Sequence, residues 1–196
     1  LRILSRRMAG EPRFLDRFLI EARTAGLVSH PNLIGALDMG HSHGFYYYAL
    51  EWPDAHTLRQ TVRGGPLGPA RLLLIARQIA AALAHLQSLG LTHRDIQPTH
   101  VLLLSDGTAR LSHVGCARAP DDPSVAETGI PIGTPGYTAP ELLARAPSAD
   151  IRSDLYSLGA TLYYAATARR PIGPPGGPPA TPALQHADLP QGVSDL

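Results

Sequence analysis

The sequence predicts an α+β fold with two lobes. Segments typical of strands cluster in the first 50 residues, the longest helix-like segments come later, and Pro53 interrupts the chain between them. We expect a smaller, strand-rich lobe over residues 1–50, a hinge at 51–56 and a larger, mainly helical lobe over 57–196. A chain of 196 residues is long enough to bury cores of this kind.

One helix and three strands are predicted in the first lobe. The short apolar run at 1–4 indicates the end of a strand. A helix begins near Pro12, because proline is favoured in the first turn, and ends before Pro31. The runs 33–40 and 44–52 predict two further strands, since tyrosine and apolar side chains pack well on a sheet.

Two long helices and a hairpin are predicted in the second lobe. Residues 69–89 have leucine and isoleucine at helical spacing, and Gly90 suits the cap just beyond the end. The runs 101–104 and 109–114, separated by an Asp-Gly turn, predict a β-hairpin. Residues 152–170 predict a second buried helix. The remaining segments are a short helix at 56–62 and loops at 116–136 and 171–182.

Composition and charge limit the classes of function. The net charge of +1 gives no strong field toward nucleic acid or an anionic membrane, so neither partner is expected. No apolar run reaches the length of about 18 residues that a membrane-spanning helix needs. Cys116 is the single cysteine, so no internal disulfide can form and a cytoplasmic location is expected.

Six short motifs carry the functional prediction. In chain order they are RFLIEARTAGLVSHPNLI, YYYALEW, THRDIQPTHVLL, ARLSHVGCAR, GTPGYTAPE and SDLYSLG. One such motif has little specificity, but six in this order and at this spacing are specific. Together they resemble the protein kinase family, most closely the bacterial serine/threonine kinases of eukaryotic type. The resemblance implies the bilobal protein-kinase-like fold, and therefore a protein as substrate or partner.

Compared with members of that family, the chain is expected to be incomplete at both ends. It begins inside the strand that carries the nucleotide-binding lysine, so the glycine-rich loop would precede it. It ends before the last helices of the larger lobe, so the usual arginine partner of Glu141 would lie beyond residue 196. A truncated sheet would leave a strand edge open, so a third alternative is that the chain does not fold by itself.

The resemblance also implies a nucleotide site. Arg2 takes the place of the lysine that holds the α and β phosphates, and Glu21 is the glutamate with which that cation pairs. Arginine keeps the positive charge, but its planar fork does not reproduce the point charge of lysine. The further cofactor-binding positions are the gatekeeper Leu50, the hinge residues Glu51 and Trp52, and Leu102.

In the catalytic loop, Asp95 matches the base that accepts the proton of the substrate hydroxyl. Gln97 replaces the lysine that steadies the γ phosphate, so one positive charge is missing. His100 and His113 replace the asparagine and the aspartate that bind magnesium. Magnesium prefers hard oxygen ligands, whereas imidazole suits zinc, copper or nickel. We therefore expect ATP to bind weakly and magnesium not to bind in the usual way.

These substitutions lead to two hypotheses. The metal's charge stabilisation is worth several kcal/mol, so losing most of it would slow phosphoryl transfer about a thousandfold or more. The first hypothesis is a pseudokinase with weak or no transfer, acting by protein binding or allostery. The second is an active, ATP-dependent serine/threonine kinase that uses Asp95 as base with some compensating ligand.

Further residues are assigned structural roles by the resemblance or are candidates for phosphorylation. The residues assigned a structural role are His93, Arg94, Gly115, Thr134, Glu141 and Asp154. In the family, the aspartate matched by Asp154 braces the backbone of the catalytic loop. Ser124 and Thr128 are candidates for phosphorylation. Two alternatives stay open: Asp95 bonded only to loop amides, and a transition-metal site at the two substituted histidines, although two ligands are too few for a closed zinc site.

Overall fold

A computed structural model describes residues 1–114, 134, 136–143 and 150–171. Within these residues the fold is α+β, as the sequence predicts, and it contains six strands and six α-helices. None of the helices in this part of the chain combines the length and the apolar character that crossing a membrane requires.

The first half of the chain forms an antiparallel sheet with a helix packed on it. Its elements are β1 (Arg2–Leu4), α1 (Arg6–Ala9), α2 (Pro12–Leu27), β2 (Ala36–Ser42) and β3 (Phe45–Leu50). The strands lie in the order β1-β3-β2. Phe18 and Ala22 of α2 pack against Leu4 and Tyr48 of the sheet, and the Phe18 and Tyr48 ring centroids are 5.1 Å apart. The apolar side of α2 thus attaches the helix to the sheet.

Helix α1 is the element that sequence patterns did not predict here. The Ser5 hydroxyl accepts a hydrogen bond from the Met8 N–H at 3.3 Å and caps this short helix. Four residues are too few to show an apolar period, so the pattern carries no signal. Helix α2 ends at Leu27, ahead of the Pro31 that was expected to limit it.

The second half of the chain contains the larger core. Its elements are β4 (Ala55–Thr57), α3 (Leu58–Thr61), a 3-10 turn (Val62–Gly64), α4 (Pro69–Ser88), β5 (Val101–Leu104), β6 (Ala109–Leu111), α5 (Pro140–Leu143) and α6 (Ile151–Thr167). The second sheet has the order β4-β5-β6, which confirms the predicted hairpin. The predicted short helix begins only at Leu58, because Ala55–Thr57 pairs with β5 instead.

Helices α4 and α6 pack together in this core. Ile79 and Leu83 of α4 are buried in one cluster with Leu158 and Ala165 of α6. The Leu67 N–H donates to the Ala165 carbonyl at 2.8 Å, which ties the loop before α4 to the end of α6. The two helices therefore form a base against which the loop between α4 and β5 is placed.

A short backbone segment joins the two halves. The Ile34 N–H donates to the Leu111 carbonyl at 2.9 Å, and the Leu111 N–H donates to the Asn32 carbonyl at 2.8 Å. The Asn32 side chain adds a bond from Nδ2 to the Ala109 carbonyl at 2.8 Å. These bonds fix the first half of the chain against β6, just ahead of His113.

We predict that truncating the core side of α4 destabilises the protein far more than truncating its outer side. Ile79 is 0% exposed, so Ile79→Ala should lower the free energy of unfolding by about 2–5 kcal/mol. Leu73 lies on the same helix but is 54% exposed, so Leu73→Ala should change it by about 0.5 kcal/mol or less. Urea unfolding followed by circular dichroism measures both, and equal losses would contradict this packing.

Candidate functional site

The candidate site is built on the loop between α4 and β5, which α6 holds in place. The carboxylate of Asp154 accepts the His93 N–H at 2.7 Å and the Arg94 N–H at 2.8 Å. Asp154 is fully buried, and Arg94 has a φ of 70°, in the left-handed region that non-glycine residues seldom adopt. Two bonds to one charged acceptor stabilise this unusual turn of the loop.

Burial also changes the protonation of Asp154. Removal from water raises the pKa of this carboxyl to about 6, while the two backbone N–H donors and the nearby Arg94 charge act in the opposite direction. The two hydrogen bonds of Asp154 are short, but the ionised form of this carboxyl carries a desolvation cost.

His93 connects the loop to the end of β6. Its Nε2 donates to the Ser112 carbonyl at 3.0 Å, and its Nδ1 accepts the Asp95 N–H at 3.3 Å. The ring is completely buried, and this burial lowers its pKa to about 4. A neutral His93 therefore orients the backbone of Asp95 without adding charge.

Three side chains surround the carboxylate of Asp95. Oδ1 accepts from Gln97 Nε2 at 3.1 Å and from Thr134 Oγ1 at 3.4 Å, and Oδ2 lies 3.3 Å from His100 Nδ1. The Asp95 side chain is 22% exposed. In the described part of the chain these contacts come from side chains, so the alternative of bonding only to loop amides finds no support here.

His100 and His113 stack face to face. Their ring centroids are 3.8 Å apart and their planes are inclined by 18°. His100 Nδ1 donates to the Asp95 carbonyl at 2.7 Å, and His100 Nε2 lies 3.4 Å from Gln97 Nε2. An imidazole binds a metal along a lone pair in its own plane, and two nearly parallel planes at this spacing do not meet at one ion. This arrangement does not suit chelation of a single ion by both rings.

The surroundings of His113 keep its ring neutral. Burial, together with the smaller effects of the nearby His100, Arg2 and His93, lowers the pKa of His113 to about 3. Ser112 Oγ lies 3.0 Å from His113 Nδ1, and the residue has a φ of 67°. A ring in this environment presents no negative charge to a cation.

The structure brings Arg2 and Glu21 near each other, but not into a tight pair. Arg2 Nη1 lies 3.9 Å from Glu21 Oε2 and also donates to the Tyr48 hydroxyl at 3.2 Å. Arg17 Nε is closer to the glutamate, at 3.0 Å from Oε1. Glu21 is therefore shared between two arginines, and the Arg2 charge also reaches toward the stacked histidines.

The predicted gatekeeper, hinge and Leu102 positions are only partly brought together. Leu50 is half-buried at the end of β3, and Leu102 is buried in β5. The Glu51 N–H donates to the Gly35 carbonyl at 3.1 Å, and its carboxylate pairs with Arg110. Trp52 is 77% exposed, so its side chain does not join the others. Sequence reasoning missed Arg110, because the two members of this ion pair lie far apart in the chain.

The last site residues lie on or near α5 and α6. Glu141 Oε1 accepts from the Ser153 hydroxyl at 2.6 Å, a partner that sequence reasoning did not name. Gly115, Ser124 and Thr128 lie outside the described residues. A pocket of about 190 Å³ adjoins Gln97 and Thr134 and was also missed, since its wall is assembled from distant parts of the sequence.

Comparisons with known proteins point to one family. The family model described as protein kinase domain matches residues 4–177. Serine/threonine-protein kinase PknL of Mycobacterium tuberculosis is 33% identical over 173 residues, which are 88% of this chain and 43% of the relative. Serine/threonine-protein kinase PrkC of Bacillus subtilis is 33% identical over 187 residues, 95% of this chain and 28% of the relative. The chain thus spans less than half the length of these curated relatives.

A solved structure agrees with the sequence relatives. The crystal structure of the Mycobacterium tuberculosis PknI kinase domain is 28% identical and superposes with a TM-score of 0.70. The match covers 96% of this chain and 71% of that chain. The α+β arrangement described above is therefore shared with a solved kinase domain.

We predict that Asp154 makes stability fall as the pH rises through the weakly acidic range. Burial favours the protonated carboxyl, so its contribution is present below the ordinary pKa of 3.8 and is lost as the pH passes about 6. The stability advantage of the wild type over Asp154→Asn should therefore shrink by about 1 kcal/mol between pH 5 and pH 7.5. Urea unfolding of both proteins at both pH values measures it, and an unchanged difference would refute the prediction.

We also predict that His93 and His113 stay neutral well into the acidic range. Their pKa values, lowered to about 4 and about 3, lie below the ordinary 6.5, so both rings should be uncharged at pH 5.5. Protonation then favours the unfolded chain, and the stability linked to these rings is lost as the pH falls below 6.5. Long-range proton–nitrogen NMR spectra report each ring, with exposed His56 as reference. Titration of either ring near 6.5 would count against this environment.

Proposed function

Because the chain belongs to the protein kinase family, we propose that this serine/threonine kinase-like domain is a pseudokinase that acts by protein binding or allostery. Phosphoryl transfer in it is weak or absent. One observation carries the proposal: His100 and His113 stack on each other at the two positions that the resemblance assigns to the magnesium ligands.

The chemistry of these two positions does not fit magnesium. Catalysis of phosphoryl transfer depends on positioning and on neutralising the phosphate charge, chiefly by metal ions. Magnesium requires oxygen ligands in near-octahedral geometry, and both positions offer ring nitrogen instead. The His100 nitrogens already contact the Asp95 carbonyl and Gln97, and burial keeps the His113 pKa near 3. We therefore infer that magnesium does not bind at these two positions in the usual way.

The environment of Asp95 supports the same proposal. Gln97, in place of a phosphate-binding lysine, uses its amide to donate to the Asp95 carboxylate at 3.1 Å. The positive charge that would steady a phosphate is absent at this position, and the neutral group that replaces it serves the loop instead. His100, Gln97 and Asp95 form a hydrogen-bonded network among themselves, and His113 stacks on His100.

The backbone of the hinge offers few hydrogen-bond donors to a nucleotide, which supports the proposal that ATP binds weakly. Backbone N–H groups are the donors with which an extended segment recognises the edge of a purine ring. The Glu51 N–H is already bonded to the Gly35 carbonyl, and Pro53 has no N–H to offer. Two of the positions in this short segment are thus unable to donate to a nucleotide.

The alternative function is an active serine/threonine kinase with Asp95 as base. It is favoured by the contact between Thr134 Oγ1 and the Asp95 carboxylate, and by the bonds from Asp154 that hold the loop. The Asp95 side chain is 22% exposed, so a substrate hydroxyl can reach it. This alternative requires a cation ligand that replaces the two imidazoles.

We predict that the wild-type protein shows no magnesium-dependent rise in melting temperature with ATP. Restoring the expected groups with Gln97→Lys, His100→Asn and His113→Asp should produce a rise of several degrees, because oxygen ligands and a cation return to the site. The matched control is His41→Asn with His43→Asp, at the exposed end of β2 and in the turn that follows it. A magnesium-dependent rise in the wild type would contradict the proposal.

Transfer of radiolabelled phosphate from ATP separates the two functions. The pseudokinase proposal expects no labelling of the protein itself or of generic protein substrates. If the wild type transfers phosphate and Asp95→Asn abolishes the transfer, the active-kinase alternative is correct. The assay needs no knowledge of the natural partner.

A further inference from the structure

The pocket beside the catalytic loop has a size suited to one side chain. Its volume is about 190 Å³, and it is lined by the loop at Gln97–Thr99 together with Arg59, Tyr137, Tyr164 and Arg170. Pockets that take drug-sized or nucleotide-sized ligands usually measure about 300–1,000 Å³. This pocket therefore fits an amino-acid side chain with a short flanking segment better than it fits a nucleotide.

Two arginines give the pocket its charge. The backbone of Arg59 lies beside the loop, because its N–H donates to the Pro98 carbonyl at 2.9 Å. Arg170 follows the end of α6. Within the described part of the chain, neither guanidinium forms a hydrogen bond or an ion pair. Both are exposed, and no carboxylate is found among the described residues that line the pocket. The two positive charges are thus available to a ligand.

The charges of the two arginines affect the same side chain of the pocket, Tyr137. Burial raises the pKa of the Tyr137 hydroxyl, as does Tyr164, whereas the charges of Arg170 and Arg59 act in the opposite direction. Both guanidinium groups are therefore close enough to influence one phenol. Tyrosine and threonine hydroxyls can donate hydrogen bonds, so the lining offers neutral donors in addition to the two cations.

We propose that this pocket binds an anionic side chain, a carboxylate or a phosphoryl group, carried by an extended protein segment. Guanidinium groups bind both anions through paired, charge-assisted hydrogen bonds. The proposal rests on the protein-binding function proposed above and names the chemistry of the partner. A nucleic acid is disfavoured, because binding its backbone uses many phosphate contacts and this chain has a net charge of only +1.

The test uses an array of immobilised decapeptides with a central serine. Each flanking position carries, in turn, aspartate, phosphoserine, asparagine or arginine, and the purified protein is applied without nucleotide or magnesium. We expect retention of the protein to increase when one flanking position is aspartate or phosphoserine, relative to asparagine. Comparison of those two arms shows whether a carboxylate or a phosphoryl group is the preferred anion.

Variants assign any preference to the pocket. Arg59→Gln with Arg170→Gln should weaken binding of the preferred acidic peptide about tenfold, which corresponds to about 1.4 kcal/mol. The control, Arg71→Gln with Arg77→Gln, removes two exposed arginines of α4 and should leave binding unchanged. The charge-reversed Arg59→Glu with Arg170→Glu should prefer the arginine arm. Circular dichroism melting verifies folding, and the single glutamine variants replace any double variant that does not fold.

Two outcomes would overturn the inference. One is an array without preference for an acidic position, and the other is a preference that survives in the pocket variant as well as in the control. Because magnesium and nucleotide are absent, this result is independent of the melting experiment proposed above. An acidic preference together with magnesium-dependent ATP binding would remove the pseudokinase proposal and leave the pocket assignment intact.

Discussion

The site depends on one buried carboxylate. Asp154 accepts the N–H groups of His93 and Arg94 and so holds the loop in a turn that includes a residue with positive φ. The other contacts of the site follow from this turn. It places the ring of His93 beneath Asp95 and turns the Asp95 carbonyl toward His100. Since Asp154 belongs to α6, the packing of α6 on α4 in the core determines where the loop lies.

A second constraint fixes the other wall of the site. The segment Asn32–Ile34 is hydrogen-bonded to β6, and Glu51 pairs with Arg110 of the same strand. Through these contacts the sheet of the first half is held against the hairpin of the second half. Arg2 then lies close enough to His113 to affect its protonation. The first half of the chain thus brings a cation close to the stacked histidines of the second half.

The substituted residues complete one another's hydrogen bonds. His100 bonds to the Asp95 backbone, Gln97 bonds to the Asp95 carboxylate, and His113 stacks on His100. A buried polar group is costly when it lacks a partner, and this network satisfies its members without an ion. The loop that carries this network is held in place by Asp154 of α6. The arginine pocket adjoins this network through Gln97 but draws its charge from α3 and the end of α6.

Much of the fold follows from local pattern. The helices α2 and α4 and the β5–β6 hairpin depend on apolar spacing, proline and an Asp-Gly turn within consecutive residues, so sequence alone predicts them. The short α1 and β4 were missed, because four residues show no period and β4 exists only through its pairing with β5. Motif order likewise identified Asp95, Gln97, His100, His113 and Asp154 as a set.

What sequence determined was therefore the chemical inventory: an aspartate, two imidazoles and an amide at the positions to which the resemblance assigns the base, the metal ligands and the phosphate-binding lysine. Tertiary structure alone decided that the two imidazoles stack, that Trp52 turns to solvent, and that Arg59 and Arg170 share a pocket. The physical reason is distance along the chain. Residue types and periods are properties of neighbouring positions, whereas ring planes and shared charge arise only when packing brings remote segments together.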